Sequence, residues 1–209
     1  MTAKQKGNPW EPAIVEFEQQ DKKTPPPKRP IVFAGSSTFT LWASTLTTDF
    51  APLPVLCRGF GGSQMADVLH YVGRVILHYK PRAVVLYSGD NDIACGKKAE
   101  EVAADFRGIV TTVRATLPQS RFYLCCIKPS PSRWTLWPEM AKANDLMRQV
   151  AKATWAVRYI DTAAPMLGPD GLPRRELFLE DMLHMNPTSY ALWTRILKPI
   201  LATDFRLGR

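Results

Sequence analysis

Two adjacent serines, Ser36 and Ser37, are the residues of this 209-residue sequence that most directly suggest chemistry. They follow "IVFAG", the pattern of a short apolar strand that ends in a glycine. A serine hydroxyl becomes an effective nucleophile only when a neighbouring base accepts its proton, and histidine is the side chain best suited to that task near neutral pH. One of these serines is therefore a candidate nucleophile, although both could be ordinary helix-capping hydroxyls.

The chain holds three histidines, and two of them lie on the polar side of a predicted helix. The helical period of residues 63–79 places the apolar residues on one face and His70, Arg74 and His78 on the opposite face. We expect both histidines to be in solvent. The intervening Arg74 would repel a cation, and the spacing of eight residues is two helical turns rather than one, so we expect no metal at this pair.

The third histidine, His184, follows Asp181 by three residues in "EDMLHMNP". This spacing can bring a carboxylate alongside an imidazole within one turn, where it accepts a hydrogen bond from Nδ1–H and fixes the tautomer. Asn186 and Pro187 come next and are typical of the N-cap and first position of a helix. Spacing alone leaves open whether Asp181 and His184 act together or only precede this last helix.

An alternation of strands and helices must position these residues. An amphipathic segment at 10–20 and the stiff connector "TPPPKRP" at 24–30 come first. The apolar runs that follow, each separated by segments of helical period, are 31–35, 54–59, 83–89, 121–127 and 157–162. Such runs are typical of strands buried on both faces. The sequence predicts an α/β fold: a three-layer α/β/α sandwich with a five-stranded parallel sheet, one domain over 31–209, and residues 1–30 packing on its core.

Polar and glycine-rich residues follow the first four strands, which is where sheets of this kind bind ligands. After the serines they are "GFGGS" at 59–63, "GDND" at 89–92 and "KPSPS" at 128–132. Taken singly, each could be only a turn, because Gly, Asp and Asn are standard turn residues. Taken together, they put a serine, a glycine amide and an asparagine amide at one edge of the sheet, as acyl transfer requires.

Four blocks of the sequence resemble those of the SGNH (GDSL) hydrolase superfamily, which is named for Ser, Gly, Asn and His. The blocks are "AGSSTFTLW", "RGFGGSQMADV", "YSGDNDIACG" and "EDMLHMNPTSYALW", in the family's order and over residues 34–193. The resemblance implies a flavodoxin-like sheet with strand order 2-1-3-4-5. Small single-domain acyl esterases, among them the catalytic subunits of the platelet-activating-factor acetylhydrolases, are similar in layout.

Carried over by block, the resemblance implies a catalytic triad of Ser37, His184 and Asp181. It implies an oxyanion hole made of the backbone N–H groups of Ser37 and Gly62 and the side-chain amide of Asn91. The family usually carries aspartate where this chain has a serine before the nucleophile. The implied reaction is hydrolysis of a short acyl or acetyl ester through an acyl-enzyme, with no metal or organic cofactor.

Two other functions stay open with the same residues. A sugar hydroxyl could replace water or carry the acyl group, which would make the protein a carbohydrate O-acetyltransferase or deacetylase. The chain could also be a non-catalytic binding module on the same fold. Trp134 and Trp137, after the fourth strand, are a candidate substrate pocket or else pin their loop to the core. Arg133 beside them meets an anionic group or only solvent.

Composition and charge limit the partners. The net charge of +8 is compatible with nucleic acid, but the basic residues are scattered among acids apart from a weak group around the proline run. We therefore expect a small-molecule ester as partner and no nucleic acid. The first residues lack the pattern of a secretory signal, and no apolar run approaches the roughly 20 residues that span a bilayer. The expectation is a cytoplasmic protein without a transmembrane segment, with the oligomeric state open, a homodimer included.

Overall fold

The core of the protein is a five-stranded parallel sheet. In the structure, a computed structural model that describes residues 8–205, the strands are β1 (Ile31–Gly35), β2 (Val55–Gly59), β3 (Ala83–Tyr87), β4 (Arg121–Cys125) and β5 (Val157–Ile160). Their order across the sheet is β2-β1-β3-β4-β5, which confirms the predicted order. Every residue of the inner strands β1 and β3 is buried, as a sheet covered on both faces requires.

Helices cover both faces of the sheet. Within the described residues the α-helices are α1 (Glu11–Lys23), α2 (Ser37–Phe50), α3 (Met65–His70), α4 (Val72–Val75), α5 (Asp90–Ala94), α6 (Ala99–Thr116), α7 (Trp137–Ala153) and α8 (Pro187–Asp204). Short 3-10 segments lie at Leu77–Tyr79, Pro131–Leu136, Ala164–Met166 and Arg175–Leu177. The loops between β1 and α2 and between β3 and α5 are very short, so these helices begin almost directly at the ends of their strands.

The helix expected over residues 63–79 is interrupted. The backbone leaves helical geometry at Tyr71 and Ile76, which separate α3, α4 and the following 3-10 turn. Both side chains are buried there, so their packing in the core outweighs a continuous run of helical hydrogen bonds. His70 and His78 are exposed, as predicted.

The strands build two separate cores because successive side chains of a strand point to opposite faces of the sheet. On one face, Val32 and Ala34 of β1 pack with α3, α4, α6 and α7. On the other face, Ile31 and Phe33 pack with α2 and α8. This is the predicted three-layer sandwich. The carboxyl ends of the neighbouring strands β1, β3 and β4 therefore meet at one edge of the sheet.

The N-terminal helix α1 packs on the first of these cores. Its Ile14 is buried there, and Arg74 pairs with Glu11 at 2.8 Å and with Glu18 at 2.7 Å. Residues 1–7 and 206–209 of the predicted units lie outside the described residues, and the boundary after residue 30 stays a prediction. No helix within 8–205 is both long and apolar enough to cross a membrane.

Candidate active site

The two adjacent serines have opposite environments. Ser36 is the N-cap of α2 and is fully buried, and its Oγ has no hydrogen-bond partner among the described residues. Ser37 is the first residue of α2 and is partly exposed. A nucleophile must be accessible to its substrate, so the surroundings favour Ser37 over Ser36 as the reactive hydroxyl.

Gly35 allows the sharp turn that presents Ser37. Its φ is +144°, and a Cβ at this position would lie 1.8 Å from the carbonyl oxygen of Tyr87 in β3. The N–H of Ser36 donates to the same carbonyl at 3.1 Å. Because only glycine fits so close to the neighbouring strand, the sheet itself fixes Ser37 at the N-terminus of α2. The dipole of that helix favours negative charge at this point.

Asp181 and His184 lie in a tight turn just before α8. Asp181 Oδ1 accepts hydrogen bonds from the backbone N–H groups of Leu183 and His184, both at 2.9 Å, and Oδ2 lies 2.5 Å from His184 Nδ1. Met182, inside the turn, has a φ of +56°. The structure thus brings the carboxylate and the imidazole together. Because Nδ1 faces the carboxylate, Nε2 is the ring nitrogen left to accept a proton.

The same turn keeps the Asp181 carboxyl ionised. Burial alone would raise the pKa of this group. The hydrogen bonds from the backbone N–H and the imidazole of His184, and from the N–H of Leu183, outweigh burial and lower the pKa to about 2. A negative charge is therefore present at neutral pH to stabilise an imidazolium cation.

The first turn of α8, which follows the Asp181–His184 turn, packs against α2, the helix that begins at Ser37. The Tyr190 hydroxyl donates to the carbonyl of Thr38 at 3.0 Å, and its ring lies 5.0 Å from that of Trp42 in α2. Among the contacts of residues 8–205, Ser37 and His184 make no hydrogen bond to each other. The contacts thus show α8 packed against the helix that begins at Ser37, and the approach of His184 to Ser37 stays a prediction. Catalytic hydrogen bonds often tighten only when substrate binds.

The loop after β2 lies between Ser37 and Trp10. A Cβ at Gly61 would lie 3.8 Å from Ser37 Cβ. Gly62 has a φ of +78°, and a Cβ there would lie 2.9 Å from Cη2 of Trp10, whose ring packs on Phe60 at 6.2 Å. A side chain at position 61 would therefore only touch Ser37, whereas glycine is required at position 62 by the positive φ and by the close approach to the indole.

Asn91, the second residue of α5, contacts the same loop. Its Nδ2 donates to the carbonyl of Ser63 at 3.0 Å, and its Oδ1 accepts from Arg133 Nη1 at 3.0 Å. One N–H of the side-chain amide is used in this way, which leaves the second available to a ligand. Asn91 thus lies beside the loop that carries Gly62.

The two tryptophans predicted as a candidate pocket stack on each other. The ring centroids of Trp134 and Trp137 are 5.7 Å apart and the rings are inclined by 16°. Both residues are partly exposed, and Trp137 also packs against the first core. Trp137 therefore helps to pin its segment to the core. A role of either indole in binding substrate stays a prediction.

A largely buried ionic cluster, which the sequence does not predict, lies beside Asn91. The Asp90 carboxylate lies between Lys128, at 3.4 Å, and Arg133, at 3.1 Å. Lys128 also donates to the Tyr87 hydroxyl at 3.2 Å, and its burial lowers the pKa of its ammonium group despite the attraction of Asp90. Arg133 thus has a carboxylate partner rather than only solvent. Only the positions of Asp90 and Lys128 in the sequence indicate this pairing, because both residues follow the neighbouring strands β3 and β4.

The groups that acyl transfer uses are present among these residues: an accessible hydroxyl, an imidazole held by a carboxylate, and amide groups on a glycine loop and an asparagine. Their convergence on one substrate stays a prediction. Side chains arranged to hold a metal ion, in groups of three or more His, Cys, Asp or Glu, do not occur within residues 8–205. The chemistry that these residues can perform by themselves is nucleophilic attack on a carbonyl carbon.

Residues 28–192 match the family model of the GDSL-like lipase/acylhydrolase family. No curated protein sequence matches the chain.

Several solved structures share the fold. A Bacteroides fragilis protein named as a candidate acylhydrolase is 19% identical, with a TM-score of 0.80 over 91% of this chain and 96% of its own. A Streptococcus pneumoniae protein named as a candidate platelet activating factor is 17% identical, with a TM-score of 0.80 over 91% and 92%. A catalytic mutant of an acetylxylan esterase from Geobacillus stearothermophilus is 14% identical, with a TM-score of 0.66 over 86% and 94%. At these identities the likeness concerns the fold.

Proposed function

Because the chain belongs to the GDSL-like lipase/acylhydrolase family and is therefore an SGNH-type ester hydrolase, we propose that it cleaves carboxylic esters of short acyl groups through Ser37, His184 and Asp181. The observation that carries the proposal is the contrast between the two serines. Ser36 is buried in the core, whereas Ser37 is accessible at the start of α2, against which α8 packs just after the Asp181–His184 turn.

The first half of the reaction acylates the serine. His184 Nε2 takes the proton from Ser37 Oγ as that oxygen attacks the ester carbonyl carbon. Asp181 accepts a hydrogen bond from the Nδ1–H group of His184 and, staying ionised, stabilises the imidazolium that forms. The tetrahedral intermediate then collapses, the bond from the carbonyl carbon to the alkoxy oxygen breaks, and the alcohol leaves with the proton from Nε2. The acyl group stays on Ser37 Oγ.

The second half repeats these steps with water. His184 takes a proton from a water molecule that attacks the acyl-enzyme, and the bond to Ser37 Oγ breaks as that oxygen regains its proton. The products are a carboxylic acid and the free enzyme. In both halves the negative oxygen of the intermediate accepts hydrogen bonds from the N–H groups of Ser37 and Gly62 and from the free amide N–H of Asn91.

A fluorophosphonate probe followed by peptide mapping tests this assignment. Intact protein should be labelled on the peptide that contains Ser37. Ser37→Ala should abolish labelling and lower kcat on p-nitrophenyl acetate by about 10⁶-fold, and Asn91→Ala should lower it by about 10²–10³-fold. Ser36→Ala is the matched control, since it removes the neighbouring hydroxyl, and it should be labelled like the wild type.

Two outcomes would contradict the proposal. If Ser36→Ala were the unlabelled variant, the nucleophile would be the other serine. If folded wild-type protein were not labelled at all, the non-catalytic binding module would be the better interpretation.

A second candidate, a carbohydrate O-deacetylase or acetyltransferase, is supported by the stacked and partly exposed Trp134 and Trp137. Trp134 directly follows Arg133, which contacts Asn91, so an indole that carries a sugar ring would hold it beside the site. The acetylxylan esterase that shares the fold acts on an acetylated sugar polymer by its name. The two candidates use the same triad and differ in the group that surrounds the acyl ester.

Kinetics on two substrates separate the candidates. For a sugar substrate, Trp134→Ala should raise KM on acetylated xylooligosaccharide and leave p-nitrophenyl acetate unaffected. Trp155, an exposed tryptophan just before β5 and at the other end of the sheet, is the matched control. Equal KM values for wild type and Trp134→Ala on both substrates would argue against the sugar. Acetylated product from an acetyl donor plus free sugar would identify a transferase.

A further inference from the structure

Arg133 is placed to control the orientation of the Asn91 amide. One guanidinium nitrogen, Nη1, donates both to Asn91 Oδ1 at 3.0 Å and to Asp90 Oδ2 at 3.1 Å. On the basis of the function proposed above, we propose that Arg133 is a positioning residue for the oxyanion hole. It holds Asn91 with its amide N–H groups turned away from the guanidinium, so that one of them is available to the substrate oxygen.

The partners of Asn91 allow only one orientation of its amide. The guanidinium of Arg133 can only donate hydrogen bonds, and the Ser63 carbonyl can only accept them. A flip of the amide by 180° would place its NH₂ group against the guanidinium and its oxygen against the carbonyl. Both contacts would then be repulsive. Ser63 also lies next to Gly62, so the same orientation ties the amide to the loop that supplies the second donor.

The ionic cluster holds Arg133 in turn. The Asp90 side chain is 7% exposed and that of Arg133 is 20% exposed, so their ion pair is largely shielded from solvent. Lys128 approaches the same Asp90 oxygen from the buried side, at 3.4 Å. Asp90 Oδ1 has no hydrogen-bond partner among residues 8–205. With a fixed carboxylate on one side, the guanidinium has little freedom to move away from Asn91.

The charge of Arg133 also acts through the amide. A cation against Asn91 Oδ1 draws electron density towards that oxygen and makes the N–H groups of the same amide better donors. This polarisation stabilises an oxyanion more than a neutral ester carbonyl. Loss of Arg133 should therefore lower kcat and leave KM for a neutral ester nearly unchanged.

The effect of Arg133 is bounded by that of Asn91, through which it acts. If Asn91→Ala lowers kcat by about 10²–10³-fold, Arg133→Met should lower it by a smaller factor, on the order of 10-fold. Arg133→Lys retains a cationic donor and should recover part of the loss. Arg148→Met is the matched control, because it removes an arginine ion pair with Asp145 on the outer part of α7.

The decisive experiment is a double-mutant cycle on p-nitrophenyl acetate with wild type, Arg133→Met, Asn91→Ala and the double variant. Thermal unfolding checks that each variant is folded. We expect the double variant to equal Asn91→Ala in kcat, because Arg133 has no amide left to orient. If Arg133 acted instead through the structure of the loop, Arg133→Met would still lower kcat on the Asn91→Ala background.

Three results would overturn the role of Arg133 while leaving the esterase intact. The first is an unchanged kcat in Arg133→Met, and the second is a loss of kcat that repeats in full on the Asn91→Ala background. The third is a rise in KM confined to anionic esters, which would make Arg133 a substrate-binding residue. An inactive, unlabelled wild type would instead overturn the proposed function, and the role of Arg133 with it.

Discussion

Replacing Ser36 with alanine should stabilise the protein and leave its esterase activity intact. The Ser36 side chain is fully buried and its Oγ has no hydrogen-bond partner among the described residues, so folding removes the hydroxyl from water without compensation. That desolvation costs about 1–3 kcal/mol. The loss of an N-cap serine normally costs about 1 kcal/mol, but Ser36 makes no side-chain capping bond, so this cost does not apply.

The packing contacts of one lost oxygen atom offset part of the gain, at about 0.1–0.2 kcal/mol for each contact. The net expectation is a free energy of unfolding raised by about 1 kcal/mol, which for a chain of this length corresponds to about 2–4 °C in Tm. Urea unfolding and ester kinetics on the same samples measure both effects. Ser37→Ala is the control, with stability changed by less than about 0.5 kcal/mol and activity lost. A less stable Ser36→Ala, or an inactive one, would refute the reasoning.

Four further substitutions test other parts of the structure. Asp181→Asn should lower kcat by about 10⁴-fold. The pKa of the Asp181 carboxyl, about 2 when folded, lies below its unfolded value of about 3.9. Its contribution to stability is therefore present above the unfolded value and lost as pH falls towards 2, so the difference between wild type and variant in acid titrations of unfolding should shrink over that range. Gly62→Ala should lower the free energy of unfolding by roughly 1–2 kcal/mol because of the positive φ of Gly62. Adding Trp10→Ala should relieve the contact with the indole but not this backbone strain. Urea unfolding of both variants measures the two effects. Burial lowers the pKa of Lys128 in the folded chain. Between that lowered pKa and the ordinary lysine value, the unfolded chain holds more protons than the folded chain, so the free energy of unfolding should increase with pH. Lys128→Met should remove this increase in urea unfolding measured as a function of pH.

The sheet and its order could be predicted because each strand is a continuous apolar run closed by a glycine or a turn, and the four sequence blocks indicated a family with known topology. The interruption of residues 63–79 could not be predicted. The apolar period continues through Tyr71 and Ile76 without a proline, and both side chains are buried in the first core where the helix is interrupted.

The candidate site divides in the same way. Asp181 and His184 are three residues apart, so their contact is local and readable from spacing. Arg133 is 43 residues from Asp90 and 42 from Asn91 in the chain. Its contacts exist only because β3 and β4 are neighbours in the sheet, and nothing in the composition of either segment specifies which charges will meet.

Two residues outside the four family blocks contact the residues of the predicted oxyanion hole. Trp10 lies against Gly62 from the N-terminal segment, before the family match begins at residue 28, and Arg133 holds Asn91 from the loop after β4. Neither residue touches Ser37 in the described contacts. Under the proposed function, both fix the positions of hydrogen-bond donors, and a misplaced donor loses much of its value for a developing charge. On that proposal we expect the functional unit to include Trp10, the N-cap of α1, as well as the residues that match the family.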